Sequence, residues 1–106
     1  MTNRPKSFAE LLTTADKPIL VDFWAPWCGP CRAVSQAVQQ VSRDLSDRMI
    51  TIKINVDQKQ DIAMRYQISS IPTMMLFWQG ESVMRLVGAQ PADQIRRQIE
   101  AHWPIH

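Results

Sequence analysis

The feature that most constrains the fold is an apolar run over residues 19–25 that leads directly into two cysteines. Only Asp22 interrupts this run, which is the pattern of a strand buried on both faces of a sheet. Cys28 and Cys31 are the only cysteines of the chain, and a glycine and a proline lie between them. Those two residues permit a tight turn into a helix. A buried strand, a turn and a helix that carries two thiols are therefore predicted in succession.

Composition is that of an ordinary globular protein. The chain has 106 residues, of which 45% are hydrophobic and 21% charged, enough for one domain with its own core. We predict a single domain over residues 1–106, with loose termini at 1–6 and 104–106. A net charge of +2 without a basic cluster argues against a nucleic-acid partner. No apolar stretch reaches the roughly 18 residues typical of a membrane span, so no membrane partner is expected.

Helix and strand patterns alternate in the first half of the chain. Ser7 and Glu10 have the spacing of a capping box, which predicts the start of a first helix. A second, amphipathic helix is predicted from Cys31 onward. Its apolar stripe consists of Val34, Val38, Val41 and Leu45. Apolar and polar residues then alternate over 50–56, which predicts a strand.

The second half continues the alternation. Asp57 is predicted to be the N-cap of a shorter third helix. An apolar run over residues 73–78 reaches Gln79 and Gly80, a pattern that predicts a β-hairpin. Pro91 is predicted to be the first residue of a last helix. The order is helix, strand, helix, strand, helix, hairpin, helix, which indicates the α/β class with a mixed sheet.

The spacing of Cys28 and Cys31 favours a redox pair over a metal site. Two thiols separated by two residues can close a disulfide ring, and a helix N-terminus stabilises a thiolate. The alternative is a zinc site with His102 and His106, but roughly seventy residues separate the two pairs. Familiar zinc arrangements have a separation of about 12 to 15 residues.

Cysteine usage also predicts the compartment. Reducing compartments disfavour structural disulfides, so a closely spaced pair is more often an active pair there. The first seven residues do not lead into the apolar core of an export signal. We therefore expect a cytoplasmic location.

The segment Trp24-Ala25-Pro26-Trp27-Cys28-Gly29-Pro30-Cys31 resembles the active-site signature of the thioredoxin family. Three further landmarks of that family occur in the same order, at residues 53–57, 71–73 and 87–89. The resemblance covers roughly residues 7–103. It implies a thioredoxin fold, in which helices flank a central mixed β-sheet. It also implies a protein-disulfide reductase that binds no cofactor, because the Cys28–Cys31 pair itself carries the electrons.

The resemblance assigns roles to the residues of the active-site loop. Cys28 corresponds to the exposed nucleophile and Cys31 to the less accessible resolving thiol. Trp27, Gly29 and Pro30 correspond to the loop around them. A thiolate at Cys28 would attack a target disulfide, and Cys31 would then resolve the mixed disulfide.

Two charged residues are implied to support this chemistry. Burial in an apolar strand would raise the pKa of Asp22, and the resemblance makes it the acceptor of the Cys31 proton. The alternative is an ordinary aspartate on a solvated strand face. Lys53 corresponds to a lysine that tunes this aspartate, and a solvent-facing lysine is the alternative.

The resemblance also implies a surface that captures target proteins. The Ile71–Pro72 bond would be cis, with a trans proline as the alternative. The backbone next to it, at Thr73, would pair with the target as an extra strand. The implied apolar rim around the nucleophile consists of Trp27, Gly29, Ile71, Val87, Gly88 and Ala89.

The chain departs from the family pattern at Gln36, Gln67, Ser70 and Trp78. The first replaces a helix proline, which predicts a straighter helix, and the next two replace glycines before Pro72, which predicts a reshaped loop. Trp78 is expected to add an exposed aromatic side chain. The first strand of the family is expected to be rudimentary here, because little chain precedes Ser7 and Pro5 disfavours strand pairing.

The implied partners are disulfide-containing target proteins and a thioredoxin reductase, driven either by a flavin and NADPH or by ferredoxin. We expect a monomer. Two alternative functions are a disulfide oxidase or isomerase on the same fold and a redox-silent interaction module. The residues between the cysteines, Gly29 and Pro30, favour the reductase over the oxidase or isomerase.

Overall fold

The computed structural model describes residues 7–105. Four helices and four strands follow one another as α1 Phe8–Thr14, β1 Ile19–Trp24, α2 Gly29–Asp44, β2 Ile50–Asn55, α3 Gln60–Arg65, β3 Thr73–Trp78, β4 Glu81–Val87 and α4 Ala92–Ala101. This order confirms the predicted alternation and the α/β class. The rudimentary strand expected before Ser7 lies outside the described residues, as does the N-terminal segment expected to be loose.

The sheet is mixed, as the resemblance implies. Its strand order is β2-β1-β3-β4. β1 runs parallel to β2 and antiparallel to β3, and β4 pairs antiparallel with β3. A parallel neighbour requires a crossover connection, and α2 supplies it. β1 is therefore an inner strand, which explains why its sequence is apolar almost throughout.

Alternate residues of β1 point to opposite faces of the sheet. On one face, Leu20 packs in a cluster with residues of α2 and α4, including Val38 and Ile95. On the other face, Val21 and Phe23 pack with residues of α1 and α3. We name these two sides the α2/α4 face and the α1/α3 face.

Several local predictions about helix and turn boundaries hold. The Ser7 hydroxyl accepts a hydrogen bond from the backbone N–H of Glu10 at 3.1 Å, so Ser7 caps α1. Gln79 and Gly80 have φ values of 52° and 85° and form the turn between β3 and β4. Positive φ at both positions is the signature of a turn that matches the twist of the strands.

Other boundaries differ from the prediction by one or two residues. α2 begins at Gly29, earlier than predicted, with Cys28 as its N-cap, and Pro91 is the N-cap of α4 and not its first residue. Asp57 does not cap α3, because the N-cap is Lys59 and has no side-chain hydrogen bond. The exposed aromatic expected at Trp78 is half-buried.

The loop before Pro72 begins with a strained residue. Gln67 has a φ of 55°, a left-handed conformation that costs about 1–2 kcal/mol for a residue with a Cβ. Its N–H donates to the carbonyl of Met64, and the N–H of Ile68 donates to that of Ala63. These two bonds form the Schellman motif that ends α3, where glycine is the usual residue. Arg85 of β4 donates to the Tyr66 carbonyl at 2.5 Å and so satisfies one more carbonyl at this helix end.

Candidate active site

The two cysteines lie at the N-terminus of α2 and form a disulfide with a Cα–Cα distance of 5.3 Å. Cys28 is the N-cap, and its sulfur accepts a hydrogen bond of 3.2 Å from the backbone N–H of Cys31. The expectation of an exposed nucleophile needs correction, because Cys28 is only 6% exposed, against 2% for Cys31. The predicted order of accessibility holds, but in the disulfide form both sulfur-bearing residues are buried.

The loop around the disulfide presents an aromatic side chain to solvent. Trp27 is 71% exposed, and Gly29 and Pro30 are also exposed. The Trp27 indole N–H donates to a carboxylate oxygen of Asp57 at 2.9 Å. Asp57 therefore orients the loop tryptophan and does not serve as the helix cap predicted from the sequence.

Asp22 lies in the middle of β1 on the α2/α4 face, with no exposed surface. Within the described part of the chain, neither of its carboxylate oxygens has a hydrogen-bond partner. Burial raises the pKa of Asp22 to about 6 from its ordinary value of 3.8, against a smaller lowering effect of the Lys53 charge. The solvated alternative considered for this residue is therefore wrong.

Lys53 is the register neighbour of Asp22 across the β1–β2 pair. Its side chain is exposed, yet its ammonium has two defined neighbours. The ammonium donates a hydrogen bond to the Ser35 hydroxyl. It also lies 4.7 Å from the centre of the Trp24 ring, within the range of a cation–π contact.

A cleft of about 360 Å³ connects these groups to the active-site helix. Cys31, Arg32 and Ser35 of α2 line one side, and Trp24 and Lys53 line the other. The volume is enough for several water molecules at about 30 Å³ each. The cleft thus gives solvent a route to the vicinity of the more buried cysteine.

The segment at the start of β3 lies beside the disulfide. The Ile71–Pro72 bond is cis, which confirms the geometry implied by the resemblance. Ile71 packs against the cluster formed by the two cysteines. Thr73 pairs with Val87 of β4, and the Gly88 N–H donates to the Pro72 carbonyl at 2.9 Å.

The residues expected to form an apolar rim are divided between two sides of the disulfide. Trp27 and Ile71 line a shallow cleft of about 360 Å³ on one side. Val87 is 54% exposed at the end of β4, and Gly88 and Ala89 follow it. The structure thus brings the end of β4 to the start of β3, while Trp27 reaches the same region from the active-site loop.

No group of three or more His, Cys, Asp or Glu side chains could hold a metal ion within residues 7–105. His106, one of the two histidines of the zinc alternative, lies outside these residues. None of the helices in the same range combines the length and apolar character needed to cross a bilayer.

Comparison with known proteins agrees with this geometry. A family model described as Thioredoxin matches residues 1–101. The chain belongs to the thioredoxin family. It is 42% identical over 90 residues to Thioredoxin 1 of Chlorobaculum tepidum, covering 85% of this chain and 89% of that relative. This thioredoxin-family chain is also 42% identical over 96 residues to Thioredoxin of Griffithsia pacifica, covering 91% and 88% of the two chains.

A third relative matches this chain over only about half of its own length. Thioredoxin Y, chloroplastic, of Oryza sativa subsp. japonica is 45% identical over 95 residues, covering 90% of this chain and 56% of that relative. Family membership and the Cys28–Cys31 pair support protein-disulfide reduction by thiol–disulfide exchange. Members of this family are thiol–disulfide oxidoreductases, whose partners are disulfide-containing targets and a reductase. The redox group of this chain is the Cys28–Cys31 disulfide.

Sequence reasoning missed two residues of the site. Ser35 lies four residues after Cys31, so both point to the same side of α2, and this spacing was a usable signal. The other is Asp57, for which the sequence predicts a helix cap and offers no link to Trp27, thirty positions earlier.

Proposed function

We propose that this chain reduces disulfide bonds of partner proteins, with Cys28 as the nucleophile and Cys31 as the resolving thiol. The observation that carries the proposal is the position of Cys28 as the N-cap of α2, where its sulfur accepts the Cys31 N–H. A backbone donor and the positive end of the helix dipole both stabilise a thiolate more than a thiol. Both effects favour the thiolate, which is the reactive form of the Cys28 side chain in thiol–disulfide exchange.

The reaction transfers two electrons from the pair to the target. The Cys28 thiolate attacks one sulfur of the target disulfide, forms a mixed disulfide and releases the first target thiolate. The Cys31 thiolate then attacks the Cys28 sulfur, releases the second target thiolate and closes the Cys28–Cys31 disulfide. Because Cys31 is held close to the mixed disulfide, resolution is faster than attack by an external thiol.

Asp22 is the proposed acceptor of the Cys31 proton. Its pKa of about 6 makes the carboxylate an effective base near neutral pH. The cleft lined by Cys31 and Lys53 gives water access to Cys31, and Lys53 is the register neighbour of Asp22. Lys53 acts as the tuning residue, since its charge lowers the pKa that burial raises.

Target capture is proposed to occur across the surface around the disulfide. Trp27 and Ile71 offer apolar contact, and Val87 extends it on the other side. The target backbone is proposed to pair beside Pro72 and Thr73, a common mode of peptide recognition. Gly88 and Ala89 leave room for that backbone because their side chains are absent or small.

The remaining elements of the proposal concern partners and context. We expect a single domain over residues 1–106 that acts as a monomer in the cytoplasm, with no membrane or nucleic-acid partner. Its reductant is proposed to be a thioredoxin reductase. Coupled assays with an NADPH-dependent flavoprotein reductase and with a ferredoxin-dependent one would identify the type. Size-exclusion chromatography and cell fractionation would test the monomer and the location.

Trapping with insulin as the target tests the central proposal. With dithiothreitol as the electron source, the C31S variant should lose turnover by about a hundredfold or more and accumulate a covalent complex with insulin through Cys28. The matched C28S variant should lose turnover without forming the complex. If neither the parent protein nor C31S reduces insulin faster than dithiothreitol alone, the redox-silent interaction module is favoured.

The midpoint potential of the pair separates reductase from oxidase or isomerase. The protein would be equilibrated with defined glutathione and dithiothreitol buffers, where about 30 mV corresponds to 1.4 kcal/mol for a two-electron couple. A potential well below that of the glutathione pool is expected of a reductant. A value well above it would contradict the proposed direction of electron flow.

A further inference from the structure

Ser35 lies on the wall of the cleft beside the active-site pair. It follows Cys31 by one turn of α2, and both residues line the cleft that ends at Lys53. Ser35 is half-buried, so its hydroxyl is partly withdrawn from solvent. The roles proposed above leave this hydroxyl without a function.

The Ser35 hydroxyl accepts a hydrogen bond from the Lys53 ammonium. On another side, the same ammonium faces the ring of Trp24 at 4.7 Å from its centre. Although the Lys53 side chain is exposed, these two contacts give its ammonium a defined position. The ammonium is therefore held by one side chain of α2 and one of β1.

A competing acceptor lies on the adjacent strand. Asp22 is paired in register with Lys53, and both of its carboxylate oxygens are buried without a hydrogen-bond partner in the described part of the chain. A charged hydrogen bond to a buried carboxylate is stronger than one to a neutral hydroxyl. The observed arrangement thus keeps the ammonium away from the acceptor that would bind it most tightly.

We propose that Ser35 is a positioning residue that holds the Lys53 ammonium against Trp24 and prevents it from hydrogen-bonding to the Asp22 carboxylate. The inference rests on the proposed function, in which Asp22 accepts the Cys31 proton. A carboxylate paired with an ammonium is a poor base, because its pKa falls below its ordinary range. Withholding the ammonium leaves the carboxylate able to accept a proton.

The charged groups around Asp22 allow this effect to be isolated. Lys53 is its register neighbour on β2 and the charge that lowers its pKa, whereas Cys31 and Arg32 of α2 line the cleft beside Lys53. From β3 the register neighbour is Met74, which is uncharged and buried. Lys53 is thus the group through which Ser35 would act.

Titration of the Asp22 carboxyl carbon by NMR in the oxidised full-length protein tests the proposal. In S35A the released ammonium reaches Asp22, so the midpoint moves to lower pH than in the parent protein. S35T keeps a hydroxyl and should restore the parent midpoint. K53M removes the positive charge, so its midpoint should move to higher pH. The matched control S42A removes a second half-buried serine of α2 and should leave the midpoint unchanged.

The order of midpoints decides between the proposal and its opposite. If S35A titrates at higher pH than the parent, Ser35 anchors Lys53 for Asp22 and the proposal is overturned. An unchanged midpoint in S35A would also overturn it. In the S35A/K53M double variant the effect of S35A should disappear, whereas a persistent effect would mean that Ser35 acts without Lys53.

These titrations need no turnover, so they separate this inference from the proposed function. If D22N reduces insulin as fast as the parent protein, the proton-acceptor role of Asp22 fails, while the midpoints still decide the role of Ser35. If both proposals hold, the pH profile of mixed-disulfide resolution moves to lower pH in S35A, in parallel with the Asp22 midpoint.

Discussion

The α1/α3 face and the α2/α4 face of the sheet are formed by alternate residues of the same strands, yet they differ in polarity. On the α1/α3 face, the rings of Phe8, Tyr66 and Phe77 meet edge to face, with centroids 5.2 to 6.3 Å apart. The α2/α4 face is mostly aliphatic but contains Asp22, a buried carboxylate that has no hydrogen-bond partner among residues 7–105. A buried unpaired charge lowers stability, whereas the aromatic contacts raise it.

One small core thus combines tightly packed apolar contacts with a buried reactive carboxylate. Asp22 lies on the face that packs against α2, the helix whose N-terminus holds both cysteines. In the proposed mechanism, the opposite face contributes neither a reactive cysteine nor the proton acceptor, so its residues can be selected for packing alone.

Truncating one large residue on each face should separate the effect of packing on stability from its effect on the pKa of Asp22. Phe77 and Met74 both lie on β3 and are buried, but they point to opposite faces. F77A should destabilise the oxidised protein by about 3–5 kcal/mol and M74A by about 2–5 kcal/mol, since both leave cavities. Only M74A should lower the pKa of Asp22 toward its ordinary range, because Met74 is its register neighbour and shields it from water.

Urea unfolding and NMR titration of the two variants would measure these effects. The milder F77L variant keeps the comparison available if F77A does not fold. A shift of the Asp22 midpoint in F77A as large as that in M74A would mean that the two faces are not independent.

Neutralising Asp22 should stabilise the protein in a pH-dependent way. Its folded-state pKa of about 6 exceeds the ordinary value of 3.8, so the native state binds more protons than the unfolded state between these values. The stability of the parent protein therefore falls as pH rises through this window. D22N lacks the effect, so its advantage should grow by roughly 2.5 kcal/mol between pH 4 and pH 8.

Urea unfolding of oxidised D22N and parent protein at the two pH values gives this difference directly. D57N serves as a control, because Asp57 is exposed and the same substitution there should leave the pH dependence of stability unchanged. D22N is also expected to slow insulin reduction. An advantage that stays constant with pH would show that the Asp22 carboxylate is not destabilising when ionised.

The smallest effect concerns the strained end of α3. Gln67 holds a left-handed φ of 55° in the Schellman motif beside the α1/α3 face. Q67G should raise stability by up to about 1 kcal/mol, since relief of backbone strain exceeds the added flexibility of the unfolded chain. Insulin reduction should be unchanged, in contrast to D22N.

Thermal and urea unfolding would measure the gain. A Q67A variant is the matched control, because alanine keeps a Cβ and should not relieve the strain. Destabilisation by Q67G would mean that the glutamine side chain contributes contacts that outweigh the backbone strain.

Much of the fold follows from local patterns. The capping serine, the stripe of α2 and the alternation of β2 depend on neighbours two to four positions away, and the structure confirms each element they predict. The turn at Gln79 and Gly80 is also predictable from the sequence, because the two residues that form it are adjacent. The boundaries at Cys28 and Pro91 shifted because helix ends depend on which N–H groups find acceptors, and several arrangements satisfy them.

The features of the active site also differ in how far they can be predicted from neighbouring residues in the sequence. From the sequence one can predict the redox pair, the strand that precedes it and the burial of Asp22, since all are contained in one apolar stretch and its turn. Tertiary packing selects Asp57 as the partner of Trp27, and Ser35 instead of Asp22 as the partner of Lys53. Those choices are made between strands and helices distant in the chain, where packing and burial, and not sequence spacing, select the partner of each polar group.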